Sequence, residues 1–153
     1  MDLKEFTSYL HKHIPITARL GAKVESYDGN AVCISAPLRP NVNHRNTVFG
    51  GSISALAILS GWAMLHLKLR GEGIKTRLVI QKTSCDFLEP VDDDFTAICA
   101  MPQGDVWRKF IQTLRKHGKA RIKVRSTIES SSGIRGTHEG VYVALALKES
   151  EFA

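Results

Sequence analysis

Disulfides and metal sites have little support in this sequence. Its 153 residues include three cysteines, an odd number without CxxC spacing: Cys33, Cys85 and Cys99. Each cysteine lies in an apolar run typical of a strand, so we expect buried free thiols in a reducing compartment. Zinc-finger spacing is also absent, and the sequence predicts neither a metal site nor a cofactor.

Targeting and membrane-spanning segments are not predicted either. The first 15 residues contain no apolar core of signal-peptide length. The longest apolar run, Ile53–Leu69, is interrupted by polar residues: Ser54, Ser60, His66 and Lys68. That run is too short and too polar to indicate a membrane span. With no repeat or linker in view, we expect one cytoplasmic domain over residues 1–153, of ordinary composition with 43% hydrophobic residues.

The chain has an excess of positive charge, +6 at neutral pH. Such a surface can attract nucleic acid, anionic lipid or a phosphorylated small molecule. Nucleic acid is disfavoured because the sequence has no RNP-like aromatic motif and no arginine-rich tail. The strand predicted at 119–131 carries four cations on one face, and these form either a solvated outer face or a track for phosphates: Lys119, Arg121, Lys123 and Arg125.

Hydrophobic periodicity predicts an α+β protein. Two helices are expected at 2–13 and 105–117, and a longer helix of about 18–20 residues should follow Ser52, its candidate N-cap. Strands are expected in a hairpin over 20–38 that turns at Asp28-Gly29-Asn30, and at 76–89, 95–101, 119–131 and 141–147. About six antiparallel strands cover only part of a helix that is apolar almost all round, so we expect a homodimer or larger assembly.

A polar loop, two glycines and this long helix form the candidate site. Gly50 and Gly51 lack a Cβ and let a ligand approach the backbone closely. The first amides of a helix favour negative charge, so a partly negative ligand atom could lie there beside Asn43, His44 and Asn46. The alternative is an ordinary loop followed by a core helix, with the asparagines acting as turn residues.

Two segments resemble a known family: residues 43–52, NHRNTVFGGS, and residues 87–91, FLEPV. Together with the element order over about 15–150, they resemble the hotdog fold, in which a curved antiparallel sheet wraps around a long central helix. The closer resemblance is to the thioesterase domain that also occurs fused to bacterial N-acetyltransferases. This resemblance implies hydrolysis of an acyl thioester carried on coenzyme A or acyl carrier protein, by a homodimer or homotetramer.

The resemblance also implies roles for individual residues. The N–H of Gly51 would polarise the thioester carbonyl, assisted by the Ser52 N–H or the side chains of Asn43 and Asn46. Substrate would contact Phe49 and Gly50, and the acyl chain would lie along Trp62 and Phe87. The phosphates of coenzyme A would bind cations, with three candidates: Arg45, Arg77 or the 119–125 row.

One departure from the family pattern concerns the catalytic acid. Many hotdog thioesterases have Asp or Glu seven residues after the second glycine, and this chain has Ile58 there. Many also have a histidine before the glycines, and this chain has Phe49 at that position. A carboxylate would then come from Asp86, Glu89 or a partner subunit.

Alternatively, polar side chains would orient the water: Asn43, His44, Asn46 or Ser60. His44 is a candidate general base because imidazole exchanges protons near neutral pH, although it could equally be a surface histidine. Cys85 and Ser60 have no base at a recognisable spacing and are weak candidate nucleophiles. Two other functions stay open: a non-catalytic acyl-thioester binding module, and a hotdog dehydratase, although the HFPG-type signature is missing.

Overall fold

Six antiparallel strands form one sheet, and the longest helix lies against its inner face. The computed structural model describes residues 2–148. The four helices are α1 (Leu3–His13), α2 (Ile16–Leu20), α3 (Gly50–Gly71) and α4 (Gly104–His117). The strands are β1 (Lys23–Tyr27), β2 (Ala31–Ala36), β3 (Thr76–Phe87), β4 (Phe95–Ala100), β5 (Lys119–Ser130) and β6 (Gly133–Ala146). Their order in the sheet is β1-β2-β4-β5-β6-β3, which confirms the predicted α+β layout of about six strands around a central helix.

The structure differs from the prediction between α1 and the hairpin. Helix α1 starts at a capping box, in which the Asp2 side chain accepts a hydrogen bond from the Lys4 amide at 2.6 Å. After Pro15 the chain forms the short helix α2, which was not predicted. The hairpin therefore begins at Lys23 and not at residue 20, and Asp28 closes its turn as expected.

Helix α3 is longer than predicted and begins earlier. It spans 22 residues, and ten of them are buried against the sheet and the other helices. Its length and mean hydropathy of 1.4 are sufficient for a membrane span, although the core helix of a soluble protein meets the same criterion. The N-cap position is occupied by Phe49, so the prediction of Ser52 as N-cap was wrong: Ser52 is the third residue of the helix.

Alternation along β5 and β6 separates the two faces of the sheet. The inner face of β5 is buried against α3 and carries Ala120, Ile122, Val124, Ser126 and Ile128, while Lys119, Arg121, Lys123 and Arg125 point outward as predicted. The three cysteines are free, and Cys99 alone among them is fully buried. In α4 the side chains of Trp107 and Phe110 are buried, whereas Val106 is 43% exposed.

Candidate active site

The loop before α3 is held in shape by Asn43. Its side-chain oxygen accepts hydrogen bonds from the amides of Arg45 at 2.8 Å and Thr47 at 3.2 Å, and its amide group donates to the Thr47 hydroxyl at 2.8 Å. Asn46 adopts a left-handed backbone conformation with φ 62°, which asparagine tolerates well. These bonds leave His44 and Arg45 exposed at the tip of the loop.

A second asparagine, Asn41, anchors the base of the loop. It is 3% exposed, and its side-chain amide donates to the carbonyls of Leu20 at 2.9 Å and Pro37 at 2.7 Å. Its own carbonyl accepts a hydrogen bond from the Phe49 amide at 2.7 Å. The residue immediately before α3 is thereby fixed against the α2 region, so the start of the helix has a defined position.

Two backbone amides at the start of α3 have no hydrogen-bond partner among residues 2–148. They belong to Gly50 and Gly51, whereas the next two amides, of Ser52 and Ile53, both donate to the Phe49 carbonyl at 2.9 and 3.2 Å. The expected assistance from the Ser52 N–H was therefore wrong, because that donor is already used within the helix. The free pair is Gly50 and Gly51, at the end of the helix where the dipole favours negative charge.

Two aromatic rings flank this pair of amides. The Phe49 ring lies over Gly51, so closely that a Cβ there would stand 3.0 Å from its Cδ2 atom. The Phe87 ring lies beside Gly50, at 3.5 Å from the position a Cβ would take. Both rings are more than half exposed, at 57% and 55%. The structure thus brings together the predicted substrate-binding residues Phe49, Gly50 and Phe87 around an accessible helix start.

An apolar cavity of about 240 Å³ lies along α3, and its first lining residue on this helix, Ala55, is one turn after Gly51. Ala55, Ile58 and Trp62 follow Gly51 at helical spacing and form its α3 wall. The opposite wall comes from Ile80 and Tyr142 of the sheet and from the corner between α1 and α2: Ile14, Ile16, Thr17 and Leu20. Trp62 is held in place by a 3.0 Å hydrogen bond from its ring nitrogen to the Leu78 carbonyl. The contribution of the α1–α2 corner to the cavity was not predicted, because helix α2 itself was not predicted.

The three positions considered for an acid lie in different places relative to the helix start. Ile58, at the position of the usual acid, lines the apolar cavity. Asp86 is paired with Thr137 and projects from the outer face of the sheet, away from α3, so its candidacy within one protomer was wrong. Glu89 lies exposed in the segment after β3, where its amide donates to the Arg135 carbonyl.

Two other predicted residues lie away from the helix start. Ser60 is fully buried and forms hydrogen bonds with the Ala57 carbonyl at 2.7 Å and the Ser126 hydroxyl at 2.8 Å, so its candidacy as a nucleophile or water-orienting group was wrong. Arg77 lies ten residues before Phe87 in β3, a separation of about 33 Å along an extended strand. It projects from the outer face and joins the cations of β5.

On the inner face of the sheet, Cys85, a weak candidate from the sequence, has a histidine neighbour that was not predicted. Cys85 is half-buried, and burial raises the pKa of its thiol while a hydrogen bond with Ser54 opposes this. His138 on β6 is the cross-strand partner of Cys85 on β3. It is 2% exposed, and its Nε2 atom is 2.7 Å from the Thr83 hydroxyl. Burial lowers the pKa of His138 and favours its neutral form. The alternation of buried residues in β6 is the signal that places His138 on the inner face.

Comparison with solved structures identifies the fold. A protein of unknown function from Chlorobaculum tepidum TLS is 30% identical, with a TM-score of 0.88 over 93% of each chain. A "putative thioesterase" from Shewanella oneidensis is 24% identical, with a TM-score of 0.84 over 94% of this chain and 96% of that one. A thioesterase from Haemophilus influenzae is 15% identical, with a TM-score of 0.76 over 99% and 95%. At these lower identities the last two matches support the fold alone.

The six-stranded sheet wrapped around α3 is therefore a hotdog fold, of the kind found in thioesterases. Residues 3–146 match the family described as "Putative thioesterase (yiiD_Cterm)". The chain belongs to this family, as the resemblance of residues 43–52 and 87–91 implied.

Proposed function

We propose that the protein hydrolyses an acyl thioester carried on coenzyme A or acyl carrier protein. The observation that carries this proposal is the pair of unpartnered amides of Gly50 and Gly51, which face an accessible site bordered by Phe49 and Phe87. A thioester carbonyl placed there would accept two hydrogen bonds that strengthen as its oxygen becomes an oxyanion. The loss of one such donor typically raises the barrier by about 3–4 kcal/mol.

The reaction would add water to the carbonyl carbon. A base takes one proton as the new carbon–oxygen bond forms, the carbon–sulfur bond then breaks, and the proton passes to the departing thiolate. The products are a carboxylic acid and a thiol. His44 is the candidate base on this chain because it is exposed on the loop beside the helix start, and a carboxylate from a second subunit is the alternative.

The acyl chain would occupy the apolar cavity along α3. Its lining is almost entirely hydrocarbon, and each methylene removed from water there contributes about 0.8 kcal/mol. Trp62 stands at the far end of the α3 wall, about 16 Å from Gly51 along the helix axis. Arg45, exposed at the loop tip, is placed to meet a phosphate of coenzyme A outside the cavity.

We also propose that the protein forms a homodimer through β3. This strand has 12 residues and lies at the edge of the sheet, so its outward backbone groups have no strand partner within residues 2–148. Exposed apolar side chains lie in or next to it: Val79, Phe87 and Leu88. Pairing of two β3 edges would bring a second subunit close to Phe87 and the helix start. The three free cysteines are consistent with a cytoplasmic location, which we propose as well.

A hydrolysis assay tests the enzymatic proposal. Purified protein is mixed with acyl-CoAs of increasing chain length, and the released thiol is measured with a thiol-specific chromogenic reagent. We expect turnover with acyl-CoA and its loss when Gly51 is replaced by Val, because the side chain would displace the Phe49 ring that borders the carbonyl site.

One observation favours a second function, a non-catalytic acyl-thioester binding module. Ile58 occupies the position of the usual acid, so no carboxylate of the described protomer lines the cavity. Acyl-CoA binding measured by calorimetry, without thiol release for any chain length, would establish binding and rule out hydrolysis.

A further inference from the structure

A cluster of positive side chains covers the outer face of the sheet, on the side opposite α3. We name it the basic face, and it consists of Arg77, Lys82, Lys119, Arg121 and Lys123. The cross-strand register places Arg77 in line with Leu145 and Lys119, and Lys82 in line with Val141 and Lys123. The row predicted on β5 therefore extends across β6 to the edge strand β3.

The charges of the basic face are not neutralised within the described protomer. None of its five cations forms an ion pair with any carboxylate in residues 2–148, and all five side chains are exposed. The next cation along β5 provides the contrast, because Arg125 is paired with Glu139 at 2.8 Å. Arg121 has only a long hydrogen bond, 3.4 Å, to the neutral Gln81. Like charges held this close repel one another, so an acidic partner would gain from covering them.

The basic face is compact and includes one exposed apolar side chain, Val79. From Lys119 to Lys123 it extends about 14 Å along the strand, and three strands give a width of about 10 Å. Val79 is 48% exposed within it, between rows that carry cations. This area, about 140 Å² at the level of the backbone, is smaller than a complete protein interface, so the basic face would form the charged centre of a larger contact.

We propose that the basic face docks an acidic carrier protein, that is, a protein with a carboxylate-rich surface that delivers the acyl thioester. This inference rests on the proposed function, since a carrier delivers its acyl thioester only to a protein that binds the thioester. A protein is favoured over single-stranded nucleic acid because the basic face carries no aromatic side chain on which bases could stack. It is favoured over a single phosphate because five cations spread over about 14 Å exceed what one phosphate contacts.

The test measures binding apart from catalysis. The probe is apo acyl carrier protein, which lacks the phosphopantetheine arm and so cannot enter the thioester site. Its affinity is measured by calorimetry for the wild type and for the triple variant K119Q/R121Q/K123Q. The matched control is K4Q/K12Q/R19Q, which removes the same charge from exposed positions on α1 and α2. Circular dichroism melting confirms that both variants fold.

We expect the wild type to bind the apo carrier, with affinity that falls at high salt. The triple variant should bind about tenfold more weakly or worse, whereas the control should stay close to the wild type. Equal affinity of the two variants, or no binding by the wild type, would overturn the docking proposal. Binding of duplex DNA that depends on the basic face, without carrier binding, would overturn it in favour of nucleic acid.

Hydrolysis of octanoyl-CoA by the wild type separates the two proposals. Hydrolysis without carrier binding refutes docking and leaves the enzyme assignment intact. Carrier binding that requires the basic face, without turnover of either octanoyl-CoA or octanoyl carrier protein, supports docking and refutes hydrolysis.

Discussion

His44 and Arg45 are exposed at the tip of the loop that precedes α3, and of the two only the imidazole of His44 offers a nitrogen lone pair that can act as a base. It is exposed and has no hydrogen-bond partner among residues 2–148, in contrast to Asn43, whose side chain is committed to the turn. A base in this position can deprotonate a water that approaches a carbonyl held by Gly50 and Gly51. General-base catalysis of this kind typically contributes 10²–10⁴-fold to a rate, which is about 3–5 kcal/mol.

Replacement of His44 by Ala should therefore lower kcat by about 100-fold or more. The melting temperature should not change, because the side chain makes no contact that stabilises the loop. The neighbouring exposed variant Arg45→Ala is the matched control, and it should raise KM for acyl-CoA while leaving kcat nearly unchanged. Steady-state kinetics on one acyl-CoA gives kcat and KM for both variants. A kcat of His44→Ala within threefold of the wild type would exclude His44 as the base.

His66 on α3 makes the fold sensitive to acid. Its ring stacks on Trp62 at 4.6 Å and on Phe6 at 5.7 Å, and its Nε2 atom is buried without a hydrogen-bond partner. Burial, assisted by the positive charge of Arg70, lowers the pKa of His66 from 6.5 to about 4. The unfolded chain therefore takes up a proton more readily than the folded protein. The stability is complete above about pH 6.5 and is lost progressively as the pH falls towards 4.

Replacement of His66 by Phe should flatten this pH dependence, because Phe keeps the stacking and does not titrate. The full shift corresponds to about 3 kcal/mol, and partial exposure of the ring reduces this to about 1–2 kcal/mol. Urea unfolding at a series of pH values between 4 and 7 measures the effect. His117→Gln, at an exposed position, should retain the slope of the wild type, and some slope should remain in His66→Phe from the buried His138.

At the scale of elements, the contact between α3 and β6 depends on one glycine. The Tyr142 hydroxyl donates to the Ile58 carbonyl at 2.7 Å, and the tyrosine ring crosses the helix where Gly61 leaves space. A Cβ at Gly61 would stand 2.8 Å from Cζ of Tyr142 and closer still to its oxygen. Tyr142 is fully buried, so its ring has little room to move.

Gly61→Ala should therefore lower the free energy of unfolding, by about 1–3 kcal/mol. Steric conflict with Tyr142 outweighs the gain in helix preference, which is at most about 1 kcal/mol. Gly71→Ala in the last position of the same helix is the control, because nothing lies within 4 Å of its Cβ position. That variant should be neutral or slightly more stable. Urea unfolding of the two variants compares them, and equal stabilities would contradict the tight contact.

At the scale of the whole molecule, the two edges of the sheet differ. One edge is β1, with five residues, and the other is β3, with 12 residues and exposed apolar side chains. A long exposed edge is a template for pairing with another strand. A dimer through β3 would satisfy its backbone groups and would also make the outer faces of two sheets continuous.

We therefore expect light scattering after size-exclusion chromatography to give twice the 16.9 kDa mass of the chain at micromolar concentration. Hydrogen exchange should show protected amides along β3, whereas the other edge strand, β1, should exchange faster. A monomeric mass, or equal exchange of the two edge strands, would contradict the proposed dimer.

Much of the architecture could be predicted from the sequence because its periodicities are strong. Alternation along 119–130 and the apolar run after Gly51 depend only on local geometry, since a strand repeats every two residues and a helix every 3.6. Helix α2 was missed because five residues between Pro15 and Gly21 are too few for a periodic pattern. The N-cap was misplaced because the Phe49 backbone, held by Asn41, starts the helix without a side-chain cap.

Sequence by itself determined the α+β layout and the loop and glycine pair that border the candidate site, since these depend on neighbouring residues and local pattern. The hotdog fold and the family followed from the resemblance of residues 43–52 and 87–91. Only the tertiary structure decided which amides stay free, that Asp86 faces away from α3, and that Arg77 and Lys82 join the cations of β5. These outcomes depend on strand register and on contacts between residues distant in the chain. A shift of one residue in register would move every side chain of a strand to the other face. A local sequence pattern is not sufficient by itself to specify that register.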